Sequence, residues 1–131
     1  MTKEFIPYEQ ALALKEFGFD EPCFGAWVNN ELFITENENP KIQSLSINQC
    51  TAPLYQQAFR WFKDKHNLHA EPYTADMGAI EYCFQIRDLY SEKYVYDNFV
   101  GAGSSYSGAF NTFEEAELEC LKKLIEIVKV K

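Results

Sequence analysis

Basic residues are scarce in this 131-residue sequence: 12 Lys and Arg stand against 20 Asp and Glu, which gives a net charge of −8. Proteins that bind nucleic acid gain much of their affinity from Lys and Arg side chains that neutralise phosphates. The composition therefore argues against a nucleic-acid partner. The scarcity is greatest between Lys15 and Lys41, because no basic residue occurs between these two positions.

Long hydrophobic runs are also missing. No stretch approaches the roughly 20 apolar residues that span a bilayer. The first residues, MTKEFIPYEQ, lack the apolar stretch of a signal peptide. We therefore expect no membrane partner and a cytoplasmic location.

Metal-binding and redox motifs are missing as well. The cysteines, Cys23, Cys50, Cys83 and Cys120, form no CxxC pair, so we expect reduced, buried thiols rather than disulfides or a zinc site. The two histidines, in KHNLHA, could begin a metal site, but Asn67 is expected to end a helix between them and no third ligand is near. The prediction is no metal and no cofactor.

What the sequence does contain is enough apolar material for a folded core. Hydrophobic residues make up 47% of the chain and aromatic residues 16%, which is too apolar for a disordered protein. The length fits one domain, and no linker or repeat divides it. We predict a single globular domain over residues 1–131.

Three helices are predicted from caps, breakers and apolar stripes. The first begins near Pro7 and ends at Gly18, which can adopt the left-handed backbone of a helix stop. The second follows Pro53 and ends near Asn67, with Trp61 on its buried stripe. The third begins at Thr112, the first residue of a T-x-x-E capping box.

The strands are predicted from turn residues and alternation. CFGAWVNNELFIT indicates a hairpin in which Asn29 and Asn30 form a tight type I′ turn. IQSLSI is a weaker third strand, AIEYCFQIR alternates clearly, and KYVYDNFV pairs back onto it. The order α-β-β-(β)-α-β-β-α predicts the α+β class, with three helices and an antiparallel sheet of about four to five strands.

One glycine- and serine-rich segment, GAGSSYSG over residues 101–108, connects the last strand to the last helix. Backbone amides in such a turn can bind an anion, but the segment lacks the Gly-Lys-Ser/Thr end of a phosphate-binding loop and the spacing of G-x-G-x-x-G. The alternative is a connector without function. As candidate ligand- or partner-binding residues we take Gly101, Gly103, Ser104, Ser105 and Tyr106.

The acidic stretch from Glu16 to Glu38 has two interpretations. It is either a solvated surface that keeps the protein soluble, or a docking face for a basic partner. The docking hypothesis adds Glu31, Glu36 and Glu38 to the candidate binding residues. Adjacent carboxylates such as Glu114 and Glu115 are too common to indicate catalysis, so no catalytic residue is proposed.

The aromatic residues offer a further alternative. An aromatic-lined cleft could stack a nucleobase or a side chain of a partner, although packing in the core explains the same residues. The candidates for such a cleft are Trp27, Phe59, Trp61, Phe62, Tyr82 and Phe84.

Three segments, FIPYEQALALKEFGFDEPCFG, APLYQQAFRWFKDKHNL and FNTFEEAELECLKKLIEIVK, together resemble a group of small proteins of bacteriophage and bacterial mobile elements with no known activity. This resemblance implies a phage or prophage accessory protein in the cytoplasm of a bacterial host cell. The β-β-α order at the C-terminus is also similar to that of double-stranded-RNA-binding domains. Those domains carry lysines where Glu114 and Glu115 stand here, so the similarity does not extend to function.

The leading hypothesis is a non-enzymatic protein-interaction module whose acidic stretch or 101–108 loop binds a host or phage protein. The first alternative is a small-ligand protein that binds or sequesters a nucleotide-type molecule. The second alternative is an enzyme with an unrecognised site.

Overall fold

A computed structural model describes residues 2–34, 49–76, 80–91, 93–97 and 110–130 of the chain. A 3₁₀ turn over Thr2–Glu4 comes first. The helices and strands then follow in the order α1 (Tyr8–Glu16), β1 (Gly25–Val28), β2 (Glu31–Ile34), β3 (Gln49–Ala52), α2 (Tyr55–His66), β4 (Leu68–Asp76), β5 (Ile80–Asp88), β6 (Lys93–Asp97) and α3 (Phe113–Lys129).

The chain divides into two compact units, Met1–Ala58 and Phe59–Lys131, and the boundary falls within helix α2. Among the described strands, the first unit contains a sheet in the order β2-β1-β3 and the second a sheet in the order β4-β5-β6. All the pairings are antiparallel. The α+β class with three helices is confirmed. The described strands form two three-stranded sheets, whereas the prediction was one sheet of about four to five strands. That residues 1–131 form one domain stays a prediction.

In the first unit, helix α1 follows the local signals. Pro7, with a φ of −65°, is the N-cap, so its missing N–H removes no helical hydrogen bond. Gly18 adopts a φ of 95°, which confirms the predicted left-handed stop. The helix buries Ala11 and Leu14 and packs against β3.

The predicted hairpin is confirmed. Asn29 and Asn30 have φ values of 51° and 69°, and the register pairs Val28 with Glu31 across the two-residue turn. Positive φ at both positions is what a type I′ turn requires, and asparagine tolerates it better than most residues. The predicted strand IQSLSI lies outside the described residues, and the observed third strand, Gln49–Ala52, was not predicted.

The N-terminal segment contacts strand β1 and the residues that follow β3. Ile6 N–H donates to the Pro53 carbonyl at 3.0 Å, and Phe5 forms an isolated bridge with Leu54. A Cβ atom at Gly25 would lie 2.8 Å from Cε1 of the Phe5 ring, a distance at which the two atoms would overlap. Any residue larger than glycine at this position of β1 would require the Phe5 ring to shift.

In the second unit, β5 is the central strand and Phe84 and Ile86 are buried, as its alternation predicts. The opposite face is not fully solvated, because Cys83 on that face is also buried. Strand β4, which was not predicted, contains Pro72. Its place at the edge of the described sheet explains how a residue without an N–H is tolerated.

Helix α3 begins as the capping box predicts, since Thr112 Oγ1 accepts a hydrogen bond from Glu115 N–H at 3.2 Å. The helix packs against β4 and β5. The side chains that it buries are Ala116, Cys120, Leu121, Leu124 and Ile125.

Candidate functional site

Strand β2 presents the predicted acidic residue Glu31 beside exposed apolar side chains. Glu31 is exposed at the start of the strand. Phe33 is 52% exposed and Ile34 is 44% exposed. We call Glu31, Phe33 and Ile34 the β2 surface. The other predicted acidic residues of this stretch, Glu36 and Glu38, lie outside the described residues.

The β2 surface results from the position of the strand. Strand β2 is at the edge of the described sheet, with β1 on its inner side. Phe33 lies opposite Ala26 and Ile34 opposite Gly25, so two large side chains face the two smallest residues of β1. Sequence reasoning missed this surface because ELFIT was interpreted only as one half of a hairpin. Adjacent apolar residues on a strand of a one-sided sheet were the available signal.

Acidic residues dominate the described sequence around this surface. Lys15 Nζ donates to the Gln49 carbonyl at 2.8 Å, and Lys3 is the other basic residue of the range 2–34. Helix α2, in contrast, exposes Arg60, Lys63 and Lys65. The acidic residues of the range 2–34 are Glu4, Glu9, Glu16, Asp20, Glu21 and Glu31.

A second candidate is an open groove of about 570 Å³ at the start of helix α1, which we call the Tyr8–Trp27 groove. Its lining residues come from the first turn of α1, from β1 and from the hairpin turn. They are Pro7, Tyr8, Glu9, Gln10, Trp27 and Asn30.

The two aromatic rings of this groove are held in place. Their centroids lie 6.3 Å apart with an angle of 70° between the planes, an edge-to-face contact. Trp27 Nε1–H donates to the Ile6 carbonyl at 3.0 Å, which orients the indole ring. Pro7 caps the helix that carries Tyr8, and the asparagine turn follows the strand that carries Trp27. Each side of the groove therefore depends on a local sequence signal.

The structure separates the aromatic residues that were candidates for a cleft. Trp61, Phe62 and Phe84 are buried in the second unit, as expected for core packing. Trp27 is the candidate that lines the groove. Tyr8 also lines it, and only the structure brings these two residues together.

The two histidines lie on different elements of the second unit. His66 is the last residue of α2, and its ring centroid lies 5.1 Å from that of Trp61 and 5.8 Å from that of Phe62. His69 lies in β4, with Nε2 4.0 Å from Glu71 Oε2. Within the described ranges, no three His, Cys, Asp or Glu side chains are placed to hold a metal ion.

The cysteines are free thiols and all four are buried. Burial raises the pKa of Cys50 to about 11, an effect that the nearby Lys15 charge partly offsets. Burial also raises the pKa of Cys120, and the Glu117 charge adds to this effect. Since the thiolate is the reactive form, these side chains are suited to the core rather than to catalysis.

We therefore expect the native thiols to react slowly with an alkylating reagent at pH 8, whereas the denatured, unreduced chain should yield all four. The ordinary cysteine pKa of 9.0 applies after unfolding and about 11 applies to folded Cys50. The folded state thus keeps a proton that the unfolded state loses, so the free energy of unfolding should fall as the pH rises from 9 to 11. Thiol counting and urea titrations at several pH values measure both effects. Fewer than four thiols in fresh protein would contradict the reduced assignment.

The glycine- and serine-rich loop lies outside the described residues. Its function therefore stays a prediction, and the candidates concerned are Gly101, Gly103, Ser104, Ser105 and Tyr106. The helix that follows it exposes Glu114 and Glu115 in its first turn. These carboxylates would repel a phosphate bound at this helix terminus.

In the part of the chain that the structure describes, no helix has the length and apolar character needed to cross a membrane. Comparisons with protein-family models, with curated proteins and with solved structures found no match for this chain.

Proposed function

We propose that this chain is a non-enzymatic protein-interaction module that binds a partner with a basic and apolar surface through the β2 surface. The resemblance to small phage and mobile-element proteins supports an accessory role for a phage or prophage in the cytoplasm of a bacterial host. The partner would then be a host or phage protein.

The exposure of Phe33 and Ile34 carries this proposal. Large apolar side chains that stay in water forgo the stabilisation that burial would give them. Exposed apolar side chains bordered by polar ones are typical of protein-binding surfaces. Phe33 and Ile34 are adjacent on a strand at the edge of the described sheet, so their side chains project to opposite faces of that strand, and Phe33 shares its face with Glu31.

The charge of the first unit supports a basic partner. Exposed carboxylates attract a positively charged surface over a distance of about one Debye length, roughly 8 Å at physiological salt. They raise the association rate more than the final affinity. The partner should therefore bind more slowly at high salt, while the apolar contact with Phe33 and Ile34 keeps the complex together.

The nucleotide-binding alternative has less support. The Tyr8–Trp27 groove offers rings for stacking, but the residues that the structure describes in its lining include Glu9 and no Lys or Arg. A phosphate in this groove would meet a carboxylate without a compensating cation.

The experiment compares capture of bacterial lysate proteins by the native chain and by Phe33→Ser/Ile34→Ser. We expect the double variant to lose the captured partner and Glu31→Gln to capture less of it at low salt, with a weaker dependence on salt. Tyr90→Ser is the matched control, because Tyr90 is 89% exposed in a turn of the second unit. Quantitative mass spectrometry measures the captured proteins, and circular dichroism verifies that each variant is folded.

Two results would contradict the proposal. One is an unchanged set of captured proteins for folded Phe33→Ser/Ile34→Ser. The other is equal loss of capture in Tyr90→Ser, which would indicate nonspecific adhesion. A variant with GAGSSYSG shortened to four residues tests the alternative surface: loss of capture in that variant alone would transfer the interaction to the 101–108 loop.

A further inference from the structure

We propose that the Tyr8–Trp27 groove binds an organic cation, the guanidinium or ammonium group of an arginine or lysine side chain in a peptide. This site is distinct from the β2 surface, and the inference does not rest on the proposed function. Three features of the groove support it: its rings, its charge and its polar rim.

The rings come first. A cation is attracted to the face of Trp or Tyr when it lies within about 6 Å of the ring centroid, and Trp gives the strongest attraction. Both kinds of ring line this groove with their centroids 6.3 Å apart. Because the two rings touch edge to face, the cation would lie over a ring face that the other ring does not cover, not between the rings. Because Trp27 Nε1–H already donates to the Ile6 carbonyl, the indole offers a ligand its ring rather than its only hydrogen-bond donor.

The charge of the lining selects a cation over an anion. Glu9 is exposed and lines the groove, and the described residues of the lining include no Lys, Arg or His. The N-terminus of α1 acts in the opposite direction, since a helix start carries roughly half a positive charge. Glu9 brings a full negative charge to the same first turn, so the net field at the groove favours a cation.

The rim offers hydrogen-bond acceptors. Gln10 and Asn30 line the groove, and their amide oxygens can accept from the several N–H groups of a guanidinium or ammonium. Asn30 is held by the hairpin turn, where its φ is 69°. The hairpin turn therefore fixes the backbone position from which this acceptor extends.

The volume suits a side chain rather than a whole domain. Small-molecule sites usually occupy about 300–1,000 Å³, and the groove is about 570 Å³ and open to solvent. An open groove lets the chain of a peptide run past while one basic side chain enters it. A basic peptide side chain is also the ligand that the acidic first unit would concentrate at its surface.

The test is a titration of isotope-labelled protein with the peptide acetyl-Gly-Arg-Gly-amide. We expect a progressive shift of the Trp27 indole N–H signal in the NMR spectrum and no shift of the buried Trp61 indole signal. A lysine peptide of the same length should act similarly. The matched peptide with citrulline, which has nearly the shape of arginine without its charge, should leave the Trp27 signal unchanged.

Variants locate the site. Glu9→Gln and Tyr8→Leu should each weaken arginine-peptide binding by roughly fivefold, since each removes one attraction to the cation. Glu4→Gln is the matched control, because Glu4 is exposed in the preceding turn and does not line the groove. It should keep most of the affinity.

Three outcomes would overturn the proposal: no shift with either basic peptide, equal shifts with the citrulline peptide, or equal weakening by Glu4→Gln and Glu9→Gln. A larger shift with adenosine monophosphate than with the arginine peptide would also overturn it in favour of a nucleotide. None of these outcomes depends on partner capture by the β2 surface, so the two proposals fail separately.

Discussion

Replacing Trp61 with alanine should lower the free energy of unfolding by about 3–5 kcal/mol, as is typical for truncation of a buried aromatic residue. Trp61 is only 3% exposed. Its ring meets the Phe62 ring edge-to-face, with the centroids 5.2 Å apart and an interplanar angle of 79°. The His66 ring packs on it from the next turn of the helix. Alanine would lose these contacts and leave a cavity at the centre of the α2 stripe.

Urea denaturation followed by far-ultraviolet circular dichroism measures this effect without relying on tryptophan fluorescence, which the variant alters. Lys63→Ala is the control on the same helix, since Lys63 is exposed, and it should change stability by less than about 0.5 kcal/mol. If Trp61→Ala were as stable as Lys63→Ala, the placement of Trp61 in the core would be wrong. Trp61 would then become a candidate for binding.

Leu121→Ala should lower the free energy of unfolding by about 2–5 kcal/mol. Leu121 is fully buried on α3, and this helix packs against β4 and β5. Truncation would remove apolar contacts between the helix and the sheet. It would also leave a void, because the surrounding strands cannot fully close around the shorter side chain.

Leu118→Ala is a matched control for this variant. Leu118 lies one turn earlier on α3 and is only half-buried. Both substitutions change leucine to alanine within one helix, so helix propensity changes equally and the difference between them reports burial. We expect Leu118→Ala to lower the free energy of unfolding clearly less than Leu121→Ala does in the same urea titration. Equal losses would mean that the packing face of α3 is centred elsewhere.

These variants also bear on the function. Core variants should weaken partner capture only as far as they unfold the protein, whereas the β2-surface variants should weaken capture in folded protein. Comparing capture with stability across both sets therefore separates binding from folding. A loss of capture that follows stability in every variant would indicate that β2 has no special role.

Several local features could be predicted from the sequence because each depends on a few neighbouring residues. A positive φ occurs at Asn29, Asn30 and Asn67, where asparagine tolerates it, and at Gly18, where no side chain opposes it. Thr112 caps α3 through a bond to Glu115, three residues away. In each case the physical cause lies within one turn of backbone. The hairpin and the helix ends follow from these causes.

The strands β3 and β4 could not be predicted in the same way. Strand β3 is a short segment before Pro53, and what makes it a strand is its pairing with β1, more than twenty residues earlier in the chain. Strand β4 contains Pro72, which usually argues against a strand, and it is stabilised by a long ladder with β5. Such pairing depends on partners distant in sequence, and no local pattern reports it.

The candidate sites likewise combine properties that the sequence predicts with properties that only the fold determines. The acidic character of residues 2–34 is visible in the composition and depends on no fold. The exposure of Phe33 and Ile34 is different, because it requires β2 to lie at the edge of the described sheet. The Tyr8–Trp27 groove needs two residues nineteen positions apart to meet. Only the packing of α1 beside the hairpin brings them together, since exposure and ring contacts are properties of the folded surface rather than of the chain.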